Sequence, residues 1–141
     1  MVDVMKAREL LAAEKYTCVL CRGESVFSSS ERGVKPLVAW YESKSDFGGF
    51  SAADKVVGRG AAFLYLLLGV KAVYAEVISL PAKELLLAHG VSVSYAREAA
   101  YIINRKGDGM CPFEAAVLDI SDKSKAYAAI RQKMRDMNIE I

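Results

Sequence analysis

Between residues 51 and 69 the chain reads SAADKVVGRGAAFLYLLLG, polar in its first half and unbroken in its apolar second half. Residues 61–68 carry no charge and no backbone-breaking residue, so a helix there would be apolar on every face and buried on all sides. Ser51 followed three residues later by Asp54 is the capping-box pattern of a helix start. The spacing therefore predicts a central helix over 51–69. It enters the core from a polar rim of Asp54, Lys55 and Arg59, where unpaired N–H groups and the positive dipole end are exposed.

The remaining pattern falls into short elements. Val4, Ala7, Leu10 and Leu11 share one side of a helix over 2–14, with Asp3 available to cap it. Residues 16–22 and 25–29 read as two strands around Gly23 and Glu24, a hairpin. Pro36 tolerates the first helical position because it has no N–H to lose, which predicts a helix over 35–42. Residues 46–49 form a glycine-bearing loop. Past Gly69, placed for a left-handed helix cap, 71–78 reads as a buried strand, 81–89 as a helix ended by Gly90, and 91–95 as another strand. Strand, helix and strand with short joints make a parallel crossover. A turn-rich loop over 104–109, a helix reopened by Pro112 and a last amphipathic helix over 122–137 complete the chain. This order argues for one three-layer α/β/α domain with a mixed sheet over residues 1–141. In such sheets ligands gather beyond the carboxyl ends of the parallel strands, where helix N-termini also point.

Composition narrows the class. At 141 residues and 53% hydrophobic content the chain is long enough for one real core. With 19 basic and 17 acidic residues the net charge is only +2, too little field to imply a nucleic-acid partner. The longest uncharged apolar run falls well short of the roughly 20 residues a membrane helix needs, and the N-terminus MVDVMKARELL lacks the layout of a signal peptide. Three cysteines fit reduced thiols better than a disulfide framework. The expectation is a cytoplasmic protein without membrane contact.

Four groupings carry candidate chemistry. Asp54, Lys55, Gly58, Arg59 and Gly60 combine a helix N-terminus, two cations and two glycines, which suits a phosphate or pyrophosphate. The glycines are not a dinucleotide fingerprint, because the predicted helix holds them in its interior rather than in the turn after a strand. The structural alternative makes Asp54 a capping acid, the glycines packing contacts and Arg59 a surface ion pair. Asn104 and Arg105 lie on a polar loop leading to Cys111, the expected N-cap of the next helix. The dipole there would favour a thiolate, so Cys111 is the candidate nucleophile, against its reading as a buried apolar group. Glu114, at the third helical position, is expected to cap its own helix. Cys18 and Cys21 have the spacing of half a zinc site, but on a strand positions three apart face opposite ways. His89 closes a different helix, where it favours the dipole.

The run AADKVVGRGAAFLYLLLGVKAVYAEVIS and the later INRKGDGMCPFEAAV resemble DUF1893, a prokaryotic family of unknown function with a cytidine-deaminase-like fold. The resemblance extends from about Tyr16 to Met134. Its more specific part is Asn104-Arg105 together with Cys111-Pro112 and Glu114. By that resemblance, true deaminases open the central helix with His-Ala-Glu or Cys-Ala-Glu and the next helix with Pro-Cys-x-x-Cys, which hold zinc and shuttle protons. This chain offers Gly60-Ala61-Ala62 and only Cys111 before Pro112, and one ligand does not make the three that a catalytic zinc requires. No zinc is expected. What the resemblance implies instead is a pocket for a nucleotide or ADP-ribose-like ligand at paired helix N-termini, rimmed by Asp54, Lys55, Arg59, Asn104 and Arg105, with Gly58, Gly60 and Glu114 also candidate ligand contacts. Two rivals are an enzyme forming a covalent intermediate or ADP-ribosyl adduct through Asp54 or Cys111, and a homo-oligomeric interaction module assembling through a sheet edge or the Trp40-Tyr41 region.

Overall fold

The computed structural model describes residues 2–141. In chain order its elements are helix α1 (Val2–Ala13), strands β1 (Cys18–Arg22) and β2 (Ser25–Ser29), helix α2 (Lys35–Glu42), strand β3 (Ser51–Val57), helix α3 (Arg59–Leu68), strand β4 (Ala72–Ser79), helix α4 (Leu80–Ala88), strand β5 (Ser92–Ala99), and helices α5 (Pro112–Val117) and α6 (Lys123–Asp136). The strands form one mixed sheet in the order β2-β1-β3-β4-β5. β1 runs antiparallel to β2 and β3, while β3, β4 and β5 are mutually parallel.

Helices α2 to α6 cover one face of the sheet and α1 packs on the other, so the chain is a three-layer α/β/α sandwich. Side chains alternate across a strand, and β1 shows it. Cys18 and Leu20 enter the larger core, whereas Val19 and Cys21 pack beneath Ala7 and Leu11 of α1. The two cysteines therefore face opposite ways, as their spacing predicts.

The expectation of a single helix over 51–69 is overturned. Its first part is the central strand β3, paired with β1 on one side and β4 on the other. Serine, alanine, aspartate and lysine have little intrinsic strand preference, but pairing on both edges and burial on both faces override it. Ala52 and Ala53 are fully buried on opposite faces, where small side chains let α3 and α1 close on the sheet. The helix begins only at Arg59, with Gly58 as an extended N-cap and Gly69 as a left-handed C-cap at φ 83°. Leu64 is fully buried. Leu66 and Leu67 are half-buried and pack at the margin of the core, so the helix is not enclosed on all sides.

One irregularity positions the site. In β3 the residues facing the helices are Ala52, Asp54 and then Val57; in β4 they are Val73, Ala75 and then Ile78. The period of two slips once at the same level of both strands, and the otherwise continuous register omits a Lys55–Glu76 pair. Val56 and Val77 consequently point away from α3. Among the described residues, no helix is long and apolar enough to cross a membrane.

Candidate functional site

The carboxyl ends of β3 and β4 run directly into α3 and α4, so two helix N-termini meet there with their unpaired N–H groups. A single buried carboxylate serves both. Glu114 Oε2 accepts from the backbone N–H of Arg59 at 2.6 Å and from the Ser79 hydroxyl at 2.5 Å. Oε1 accepts from the N–H of Ile102 at 2.6 Å. The Ser79 hydroxyl oxygen in turn accepts from Ala82 N–H at 3.2 Å, which caps α4. The expectation that Glu114 caps its own helix is thus corrected. It caps α3, because α5 is only six residues long and lies across the start of α3.

The glycines allow this approach. A Cβ on Gly60 would meet the Phe113 carbonyl oxygen at 2.9 Å, and one on Gly58 would meet Glu114 Oε2 and Ile102 Cγ1 at 3.1 Å. Gly58 stands in the turn directly after β3 as the N-cap of α3, and Arg59 and Gly60 open that helix, whereas the sequence pattern put all three in a helix interior. The position where a phosphate would meet the α3 N–H groups is filled by the chain's own carboxylate.

Arg59 is also committed internally. Its Nε donates to Val117 O at 3.1 Å and its Nη2 to Ile120 O at 2.7 Å, with Nη1 at 3.5 Å from Pro81 O. The guanidinium carbon lies 5.1 Å from the Phe63 ring centroid. The side chain thereby ties the end of α5 to α3 and α4. Arg59→Ala is expected to lower stability by about 1.5–3 kcal/mol, the worth of charged hydrogen bonds to carbonyls, measured by urea unfolding. Arg59→Lys should recover only part, since a point charge replaces the planar fork.

Asp54 sits away from this junction, inside the sandwich. Its Oδ2 accepts from the Tyr65 hydroxyl at 2.6 Å and its Oδ1 is 3.4 Å from the Val56 N–H. Burial pushes its pKa up to about 7 against the opposing pull of these hydrogen bonds, and the Glu76 charge adds to the rise. The nearby Cys18 thiol is also pushed up, first by burial and then by Asp54. Asp54 is therefore not a rim residue, and the capping-box reading of Ser51 and Asp54 is corrected: both are buried strand residues. Lys55 follows it, exposed on β3.

Beside the Glu114 junction, on the face to which Val56 and Val77 turn, lies a cavity of about 210 Å³. Arg97, Tyr101 and Ile103 line it with these valines, and Ile102 joins it to Glu114. Among the described residues Arg97 has no carboxylate partner. Ile103 bridges antiparallel to Met110, closing a loop in which Asn104 Nδ2 donates to Asp108 Oδ1 at 2.9 Å and Asn104 N–H to Gly109 O at 2.9 Å. Asn104 is thus a loop-shaping residue, and Arg105 projects from the exposed turn. Cys111 is the N-cap of α5 as expected, half-buried, with its N–H donating to Ile102 O at 2.8 Å.

The structure brings Gly58, Arg59, Gly60 and Glu114 into one junction with Cys111 nearby, and it separates Asp54 from them. Sequence reasoning missed Ser79, Arg97 and Tyr101. Ser79 two residues before Pro81 was a legible N-cap signal. Arg97 was missed because the strand was expected to end at Tyr95, although it continues to Ala99. Among the described residues no three of His, Cys, Asp or Glu cluster as a metal-ligand set. At the junction both Glu114 oxygens are taken by N–H and O–H donors, so the residues present there do not fit a zinc ion.

Fold and junction together define a mixed-sheet α/β domain whose strand-to-helix turns converge on one buried carboxylate. The family described as domain of unknown function DUF1893 (TM1506) matches residues 6–134, and the chain belongs to that family. It is similar to the crystal structure of a DUF1893 family protein (TM1506) from Thermotoga maritima, with 29% identity and a TM-score of 0.83 over 96% of this chain and 90% of that one. It is also similar to the dCMP deaminase of the cyanophage S-TIM5 in its apo form, with 15% identity and a TM-score of 0.46 over 67% of this chain and 94% of that one. No curated protein matches the chain.

Proposed function

We propose that the domain binds a nucleotide or ADP-ribose-like anion at the carboxyl ends of β3, β4 and β5. The observation that supports this most directly is the cavity lined by Arg97 and Tyr101. It lies where ligands gather in sheets of this kind, and it pairs a cation free of carboxylates with an aromatic face. Its volume accommodates a base or a phosphate group. The rest of the ligand would extend toward the loop that carries Asn104 and Arg105. This reading moves the anion contact from Arg59, whose donors are engaged, to Arg97. Glu114, Gly58 and Gly60 then shape the wall behind the site.

Thermal shift tests it. ADP and ADP-ribose should raise the melting temperature, and adenosine, which lacks the charge, should do so far less. Arg97→Ala should weaken the response by about 1.5–3 kcal/mol, and Arg97→Lys should restore part of it. Equal shifts from adenosine and ADP, unchanged in Arg97→Ala, would defeat the reading.

A further inference from the structure

A second cavity of about 570 Å³ opens at the opposite end of the sheet, where the C-terminal ends of α2 and α3 meet α6. Its size falls in the usual range for small-molecule sites, which pair an apolar lining with a few placed polar groups. Leu67, Leu68 and the buried Phe47 supply apolar surface. Tyr41 and Tyr127 supply two aromatic rings that meet edge to face at 4.8 Å. Glu42 is already engaged, since it accepts from the Tyr127 hydroxyl and pairs with Arg131 Nε at 3.3 Å.

Two charges of opposite sign remain on the rim, two residues apart. Among the described residues neither Lys44 nor Asp46 has an ion-pair partner. Asp46 Oδ1 accepts from Gly48 N–H at 2.9 Å, which fixes the carboxylate and leaves Oδ2 unengaged. Lys44 has φ 60°, and its N–H donates to Tyr41 O at 3.2 Å in the left-handed turn that ends α2. That position favours glycine, and a lysine there carries a steric cost that glycine avoids. Residues held in such conformations cluster at ligand sites, and here the residue supplies the rim's cation.

We propose that this cavity binds a free apolar or aromatic α-amino acid. Its ammonium group meets Asp46, its carboxylate meets Lys44, and its side chain lies among Tyr41, Leu67 and Leu68. A zwitterion matches the paired opposite charges, whereas a ligand of single charge leaves one rim group opposed by nothing.

Titration calorimetry of the full chain with L-leucine and L-phenylalanine tests this, with 3-phenylpropionate and phenethylamine as analogues that each lack one charge. Either analogue should bind about tenfold or more weakly than L-phenylalanine. Lys44→Gly separates binding from folding, because relief of the left-handed strain should leave the melting temperature equal or higher while affinity falls about tenfold or more. Asp46→Asn, which keeps an acceptor for Gly48, should likewise lose affinity. No heat from any apolar or aromatic amino acid up to about 10 mM, equal affinity for a singly charged analogue, or full affinity in Lys44→Gly would overturn the proposal.

Discussion

Glu114→Ala is expected to lower the unfolding free energy by about 3–5 kcal/mol, since each buried donor left unsatisfied costs about 1–3 kcal/mol. The truncation leaves three donors without an acceptor: the first N–H of α3, the Ser79 hydroxyl and the Ile102 N–H. Water entering the space would recover part of the loss, and the positive end of α3 would lose its compensating charge. Glu114→Gln keeps the shape but turns an amide NH₂ toward one of these donors, so it should fall between wild type and alanine rather than match wild type. Guanidinium unfolding at neutral pH reads both variants. Midpoints within error of wild type would mean that the carboxylate is not the acceptor at this junction. A loss in Glu114→Ala that exceeds that in Arg59→Ala would rank the carboxylate above the guanidinium as the tie holding α5 in place.

What the sequence disclosed follows where local and global signals agreed. The helix at 35–42 and the strand at 25–29 are found with those bounds, because proline at a helix start and β-favourable residues beside a glycine turn are local signals. The last helix is found with Asp122 as its N-cap, its side chain accepting from Lys125 N–H. Residues 51–57 were unreadable for the opposite reason. Ser51 and Asp54 imitate a capping box, and Ala52 and Ala53 are as good in a helix as anywhere. Only their partners across the sheet, 30 or so residues earlier and 20 or so later, make them a strand.

The candidate site was legible in its neighbourhood but not in its wiring. Gly58, Gly60 and Glu114 stand out in the sequence, and they do meet. That Glu114 serves α3 rather than its own helix depends on a contact 55 residues apart in the chain, which no spacing rule encodes. The two rim charges at 44 and 46 and the cavity beside Arg97 are products of packing between elements, invisible to periodicity.

Asp54→Asn is expected to change the pH dependence of stability more than its value at acid pH. The carboxyl's pKa is carried from the ordinary 3.8 to about 7 in the folded protein. Below pH 3.8 both states hold the proton and the group contributes nothing to the slope. Between pH 4 and 7 the folded state still holds it while the unfolded state has released it, so stability falls as pH rises. Above pH 7 both are ionised and the loss is complete, at roughly 4 kcal/mol by linkage. Asparagine does not titrate and retains an oxygen for the Tyr65 hydroxyl. The variant should therefore gain on wild type by roughly 4 kcal/mol between pH 4 and pH 8, and the difference between the two cancels the titration of every other group. A helix-capping aspartate would give the reverse sign, with asparagine no better than wild type at neutral pH. Urea midpoints of both proteins across that range decide it. A difference that stays flat would mean that Asp54 is ionised throughout, its charge held by the Tyr65 and Val56 donors against the cost of burial.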